Sequence, residues 1–312
     1  MNYIKNPKIS VLLCTYNGEK FLKDQLKSFE NQTIASHLHL LISDDGSKDG
    51  TIKILKHFKK KSNLPMKIFF RQATKGFSSN FVFITSRRGL KSDFYAWSDQ
   101  DDIWLDSKLE RALSRLNTAD PRKPAVYCSR TIVTDESNKE LRLSKKHNYK
   151  PSFENALVQS IAGGNTMVFN ESARVLFNKA SYNQDITSHD WLMYIITKGV
   201  GGYFFYDELP SVRYRQHGKN LIGSNNSFWE AAKRIIDLFK GKLEKNMHKN
   251  ARCILNIKED LDTTNRIKFS KFYKALNANK YKKIRLFLSL RIHRQSIKET
   301  FVFYIATFIN KV

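Results

Sequence analysis

The chain has 312 residues, 41% of them hydrophobic, with 54 Lys and Arg against 29 Asp and Glu, a formal charge of +25. This excludes a disordered tail and a disulfide-stapled miniprotein, and it allows one large domain or a domain with an appendage. Cys14, Cys128 and Cys253 are far apart and form no CxxC pair, which argues against a zinc site and points to a reducing, cytosolic compartment.

Residues 8–14, KISVLLC, read as a buried strand between Pro7 and the turn-like Tyr16-Asn17-Gly18. From Glu19 onward Phe21, Leu22, Leu26 and Phe29 recur at helical spacing. LHLLIS (38–43) is a second strand ending in DDGSKDG, and Ile52, Leu55 and Phe58 mark a second helix. KIFFR (67–71) is a short strand, GFSSNFVFITSRR a helix, and DFYAWSD (93–99) a strand. This alternation predicts an α/β domain, Rossmann-like, with a mostly parallel central sheet and helices on both faces. Beyond Pro121, residues 125–135 read as a strand, and 156–170 pass through Gly163-Gly164 into another. Residues 188–199 have a helical period, and 202–217 are rich in strand formers. The predicted division is 1–224 as the catalytic domain, with halves 1–120 and 121–224, followed by a helical extension over 225–312.

That extension holds 20 Lys and Arg against 7 Asp and Glu, an excess of 13 and more than half the net charge. FWEAAKRIIDLFKGKL, ARCILNIKEDL and KIRLFLSLRIHR repeat apolar residues at about helical spacing with cations between. No secretory signal opens the chain. The longest apolar run, Thr300 to Ile309, is about half of what spans a bilayer, so it could lie on a membrane without crossing it.

In open α/β sheets ligands sit outside the carboxyl ends of the strands. Three polar clusters occupy that position: Thr15-Tyr16-Asn17, Asp44-Asp45-Gly46-Ser47 and Asp99-Gln100-Asp101-Asp102. On an extended backbone Asp99 and Asp101 point the same way with Cα atoms about 7 Å apart, a spacing that suits a small dication and its phosphates. Asp102 then points away. The bland reading of the same acids is a turn capping the helix that begins near Asp106, and DDGSKDGT taken alone is a turn followed by an N-capped helix. Asp190 opens a helix, where a carboxylate is stabilised by the dipole alone. Arg213, Arg215 and His217 alternate along one extended face, a pattern suited to a diphosphate.

In combination, SVLLCTYNGEKFLKDQLKSFENQT, ISDDGSKDGT, WSDQDDIWLDSKL, HDW and YRQHGKN, in this order over roughly residues 8–220, resemble the family 2 inverting glycosyltransferases of the GT-A fold, rhamnosyltransferase-like members among them. The resemblance implies that Thr15, Tyr16 and Asp44 or Asp45 hold the nucleotide base. It implies that Asp101 binds Mn2+ or Mg2+, with Asp99 nearer the ribose and His217 on the metal or diphosphate. Asp190 matches the carboxylate that deprotonates the acceptor hydroxyl, and Arg215 or a neighbour would join the metal in neutralising the leaving diphosphate. His189 departs from the family's frequent Glu-Asp pair. The implied donor is dTDP-rhamnose, with a UDP-hexose as the alternative. The implied acceptor is a lipid-linked glycan met at the cytoplasmic face of a bacterial inner membrane, as a peripheral enzyme and possible homodimer. A non-catalytic nucleic-acid-binding protein is the alternative of another class, but three acidic clusters at strand ends would repel phosphate without a metal. A nucleotidyltransferase would want a glycine-rich and basic loop after the first strand, where TYNGEKF stands.

Overall fold

The computed structural model describes residues 6–72, 76–217 and 240–312. Its first half runs β1 (Ile9–Thr15), α1 (Leu22–Glu30), β2 (Leu38–Asp44), α2 (Thr51–Lys61), β3 (Met66–Phe70), α3 (Phe77–Thr85), β4 (Phe94–Ser98), β5 (Ile103–Trp104) and α4 (Lys108–Leu116). The second adds β6 (Ala125–Thr134), β7 (Glu140–Leu143), α5 (Phe153–Ala156), β8 (Val168–Asn170), α6 (Glu171–Ser181), α7 (His189–Gly199) and β9 (Tyr203–Arg215).

β1 is buried along its whole length, so its side chains must alternate between two apolar layers. Ile9, Val11 and Leu13 pack with α1, α2 and α4, whereas Leu12 and Cys14 pack with α3, α6 and α7. Helices on both faces follow from this double burial. The sheet order is β3-β2-β1-β4-β8-β6-β9-β5, with β7 paired to β6. β3, β2, β1 and β4 are mutually parallel. The second half is mixed: β8 runs antiparallel to β4 and β6, β6 is parallel to β9, and β5 is antiparallel to β9.

The two tryptophans of WSDQDDIW serve opposite layers. Trp97 lies fully buried in the α3–α6–α7 layer, where its Nε1 donates to Thr85 Oγ1 at 2.8 Å. Trp104 lies in the other layer, edge-on to Phe29. The acidic loop between them is therefore anchored on both sides of the sheet.

Among the described residues four further helices follow: α8 (Lys242–Leu255), α9 (Thr263–Leu276), α10 (Lys280–Ser289) and α11 (Ile297–Phe308). Their inner residues Met247, Ile254, Phe269, Phe272, Phe287 and Phe303 belong to the same buried cluster as Leu12 and Trp97. The helical extension thus packs against the α/β layer. The boundary expected at 224/225 and all but the last four residues of the amphipathic segment expected over 228–243 lie outside the described residues. Among the described residues no helix is long and apolar enough to cross a membrane.

Candidate active site

Parallel register sets the site. Thr15 at the end of β1 pairs with Asp44 at the end of β2, and Leu13 pairs with Ser98 at the end of β4, so the three polar clusters emerge at one edge. They are then zipped together by side chain to backbone bonds. Asn17 N donates to Ser47 Oγ and Asn17 Oδ1 accepts from Lys48 N, while Gly18 N donates to Thr51 Oγ1. Gln100 holds the Tyr16 backbone with both ends of its amide: Oε1 accepts from Tyr16 N at 2.8 Å and Nε2 donates to Tyr16 O at 2.9 Å. A Cβ on Gly18 would stand 2.3 Å from that Oε1, so only glycine leaves room for this clamp.

The clamp changes the geometry expected of the acids. β4 ends at Ser98, and residues 99–101 bend instead of continuing the strand, because Gln100 is drawn sideways to Tyr16. Asp99 and Asp101 are consequently not alternate residues of one strand. Asp101 Oδ2 lies 2.8 Å from His217 Nε2, and the pair is mostly shielded from solvent. Burial, with the charges of Asp101 and Asp190, pushes the Asp99 carboxyl up to about 7; Asp99 thus shares its surroundings with both the metal candidate and the base candidate. Among the described residues no three His, Cys, Asp or Glu side chains form a metal-binding group. Of the expected ligands Asp99, Asp101 and His217, the structure brings the last two into direct contact.

Asp102 does turn away, into the protein. It is fully buried, accepting from Asn165 Nδ2 at 2.5 Å and from Arg215 N at 3.3 Å. The Asn165 carbonyl accepts from the buried Lys108 Nζ at 2.8 Å, and that ammonium sits 4.4 Å from the Trp104 ring centroid. Burial pushes the Asp102 carboxyl well above, and brings the Lys108 ammonium down to about 7 from, their ordinary values. This chain ties the acidic loop to β9 two residues before His217.

Thr15 Oγ1 donates to Asp44 Oδ2, which also accepts from Ser47 Oγ, while Asp44 Oδ1 accepts from Gly46 N and Ser47 N. Both oxygens of Asp44 are occupied by the protein, so Thr15 and Asp44 build the loop. Asp45 is buried with Arg71 Nη1 3.7 Å away, and Tyr16, next to Thr15, is half exposed. Arg215, expected on the diphosphate, is 4% exposed: its Nη2 meets Asp24 Oδ2 at 2.8 Å, Nη1 donates to Glu136 O, and the guanidinium covers Phe21. Phe21 in turn packs against the His217 ring at 4.8 Å. Arg213 is paired with Glu140. Arg213 and Arg215 do alternate along β9, but their guanidinium groups are directed at neighbouring acids, while the His217 ring contacts Asp101.

Asp190 lies in the first turn of α7 with its Oδ1 accepting from Trp191 N. His189 beside it is 4% exposed, stacked on Phe81 at 3.9 Å and edge-on to Trp97 at 4.7 Å. Burial lowers its pKa to about 4, so the imidazole is neutral at neutral pH. Sequence reasoning missed Arg71, Gln100, Lys108 and the packing role of His189. Arg71 could have been found, since it directly follows β3 at the same strand edge; the hydrogen-bond partners of Gln100 and Lys108 and the ring partners of His189 lie far away in sequence.

Parallel strands ending in an acidic loop, with a carboxylate and an imidazole in contact and a second carboxylate at a helix start, make this edge of the α/β sheet the candidate active site. The family model described as glycosyl transferase family 2 matches residues 10–181, and the chain belongs to that family: it is a glycosyltransferase. It is 30% identical over 234 residues to the dTDP-rhamnosyl transferase RfbG of Shigella flexneri, covering 72% of this chain and 78% of that one. Two solved structures share the fold. S. aureus TarS residues 1–349, in complex with UDP-GlcNAc, superposes with a TM-score of 0.56 at 13% identity, over 96% of this chain and 90% of that one. The mannosyltransferase PcManGT of Pyrobaculum calidifontis, with GDP-Man and Mn2+, superposes with a TM-score of 0.51 at 15% identity, over 99% and 88%. The GT-A fold with C-terminal helices is thereby shown.

Proposed function

We propose that this glycosyltransferase inverts its donor sugar, depends on Mn2+ or Mg2+, and moves rhamnose from dTDP-rhamnose to a hydroxyl of a lipid-linked polysaccharide intermediate on the cytoplasmic side of a membrane. The observation that carries this reading is the contact of Asp101 with His217, held at the strand edge beside Asp99 and Asp190. Asp101, by a carboxylate oxygen, and His217, by an imidazole nitrogen, would hold the divalent ion, both being donor types such ions accept. When bound, the ion supplies positive charge against the leaving diphosphate.

This chain's own residues do the rest. Tyr16 lays its exposed ring against the base, and Asp45 accepts from a base N–H with Arg71 alongside. Thr15 and Asp44 hold the loop that presents them. Asp99 faces the ribose. Asp190, on the acceptor side, takes the hydroxyl proton as the nucleophile attacks the anomeric carbon, and a single displacement inverts that centre. Arg215 steadies Phe21 and His217 and is a positioning residue. The dTDP-rhamnose choice is supported by the likeness to RfbG over most of both chains.

The test is donor hydrolysis by the purified protein across dTDP-, UDP- and GDP-sugars with Mn2+. Hydrolysis favouring dTDP-rhamnose and absent in Asp101→Ala is expected; preference for a UDP-hexose would overturn the donor, and undiminished turnover of Asp101→Ala without metal would overturn the site.

A further inference from the structure

The last helix carries two apolar faces, and only one is explained by packing. Phe303, Ala306 and Thr307 face inward, with the Phe303 ring 5.5 Å from Phe287 of α10. On the outward face Ile297, Phe301 and Phe308 are 76%, 66% and 53% exposed, joined by Ile305 and Ile309. Spacings of four, four, three and one place all five on one stripe, three turns long. A monomeric protein that left such a stripe to water would carry an aggregation hazard, so the face is made for a partner.

The charge around it says which. Residues 280–312 hold eight Lys and Arg and one Glu. Lys280 Nζ lies over both the Tyr281 and Phe308 rings, at 5.2 and 5.3 Å, which joins the basic start of α10 to the apolar end of α11. Lys282, Arg285 and Lys298 are exposed. The helix is fixed from behind, with Lys283 Nζ donating to the Val312 carbonyl. A rigid apolar stripe flanked by long cationic side chains is the pattern of a helix lying in a bilayer interface, its aromatic and aliphatic groups among acyl chains and its cations on anionic headgroups. A second copy of this chain would bring the same positive charge to the same face and be repelled.

We propose that the outward face of α11, with Lys280, Lys282, Arg285 and Lys298, docks the protein on an anionic phospholipid surface. The proposal gives a place to the lipid-linked acceptor reading but takes none of its evidence from it. The test is cosedimentation of the full-length protein with vesicles of phosphatidylcholine alone or mixed with phosphatidylglycerol. Binding is expected only to the anionic vesicles. Ile297→Ser with Phe301→Ser and Phe308→Ser should weaken it at least tenfold, and Lys282→Glu with Arg285→Glu and Lys298→Glu likewise, with helical circular dichroism and donor hydrolysis unchanged. Unaltered vesicle binding by both triple variants would overturn the α11 surface while leaving a membrane-bound acceptor intact. Wild-type protein that ignores anionic vesicles but forms a dimer broken by Phe301→Ser would overturn it in favour of a second copy.

Discussion

His189 should make this protein acid-sensitive, and the size of the effect follows from its packing. The ring is stacked on Phe81 and edge-on to Trp97, and burial brings its pKa from 6.5 to about 4. The unfolded chain therefore binds a proton between these values that the folded chain refuses, so stability is intact above pH 6.5 and falls as the pH drops toward 4. The full gap corresponds to roughly 3 kcal/mol, and at pH 4.5 about 2–3 kcal/mol of it is lost. His189→Phe keeps a ring among aromatic neighbours and removes the titration. Urea unfolding of wild type and variant at pH 7 and pH 4.5 reads the difference: the wild type should lose about 2–3 kcal/mol more than the variant on acidification. Equal losses would refute the claim that a buried neutral imidazole lies beside Asp190.

Asp102→Ala leaves Asn165 Nδ2 and Arg215 N without their buried acceptor and should cost about 2–5 kcal/mol, read as a lowered Tm, with donor KM raised because His217 loses its frame. Gly18→Ala places a methyl 2.3 Å from Gln100 Oε1 and should break the Tyr16 clamp; steady-state kinetics with the donor should show a raised KM at a fold little changed by circular dichroism. Ending the chain at residue 240 removes Met247, Ile254, Phe269 and Phe272 from the shared core. We propose on this ground that 1–224 and 225–312 are one folding unit, so the truncated protein should be insoluble; a soluble fragment that still binds nucleotide would restore the two-part division.

The fold was legible where the sequence is locally decisive. KISVLLC and LHLLIS are buried runs with turn residues behind them, and the helices of the first half show their period openly. The site was legible as to which loops converge, because parallel strands bring their carboxyl ends to one edge whatever else happens. What the sequence hid depends on distant partners. Nothing near Arg215 announces Asp24, 191 residues away, so a cation that looked free for phosphate proved to be buried in a pair. WSDQDD reads as a continuing strand until Gln100 is seen reaching back to Tyr16. Lys108 follows the same acidic block, and nothing next to it announces the Asn165 carbonyl, 57 residues away, that receives its fully buried ammonium.

We propose a division of labour in which Asp101, with His217, holds the donor end and Asp190 activates the acceptor. The most direct measurement is transfer from dTDP-rhamnose to a lipid-linked acceptor by wild type and Asp190→Asn, with the product anomer read by NMR and donor affinity by calorimetry. The expected result is an inverted anomeric centre in the wild-type product and transfer slowed about 10²–10⁴-fold in Asp190→Asn at unchanged donor affinity. A retained configuration, or near-normal transfer by Asp190→Asn, would contradict it.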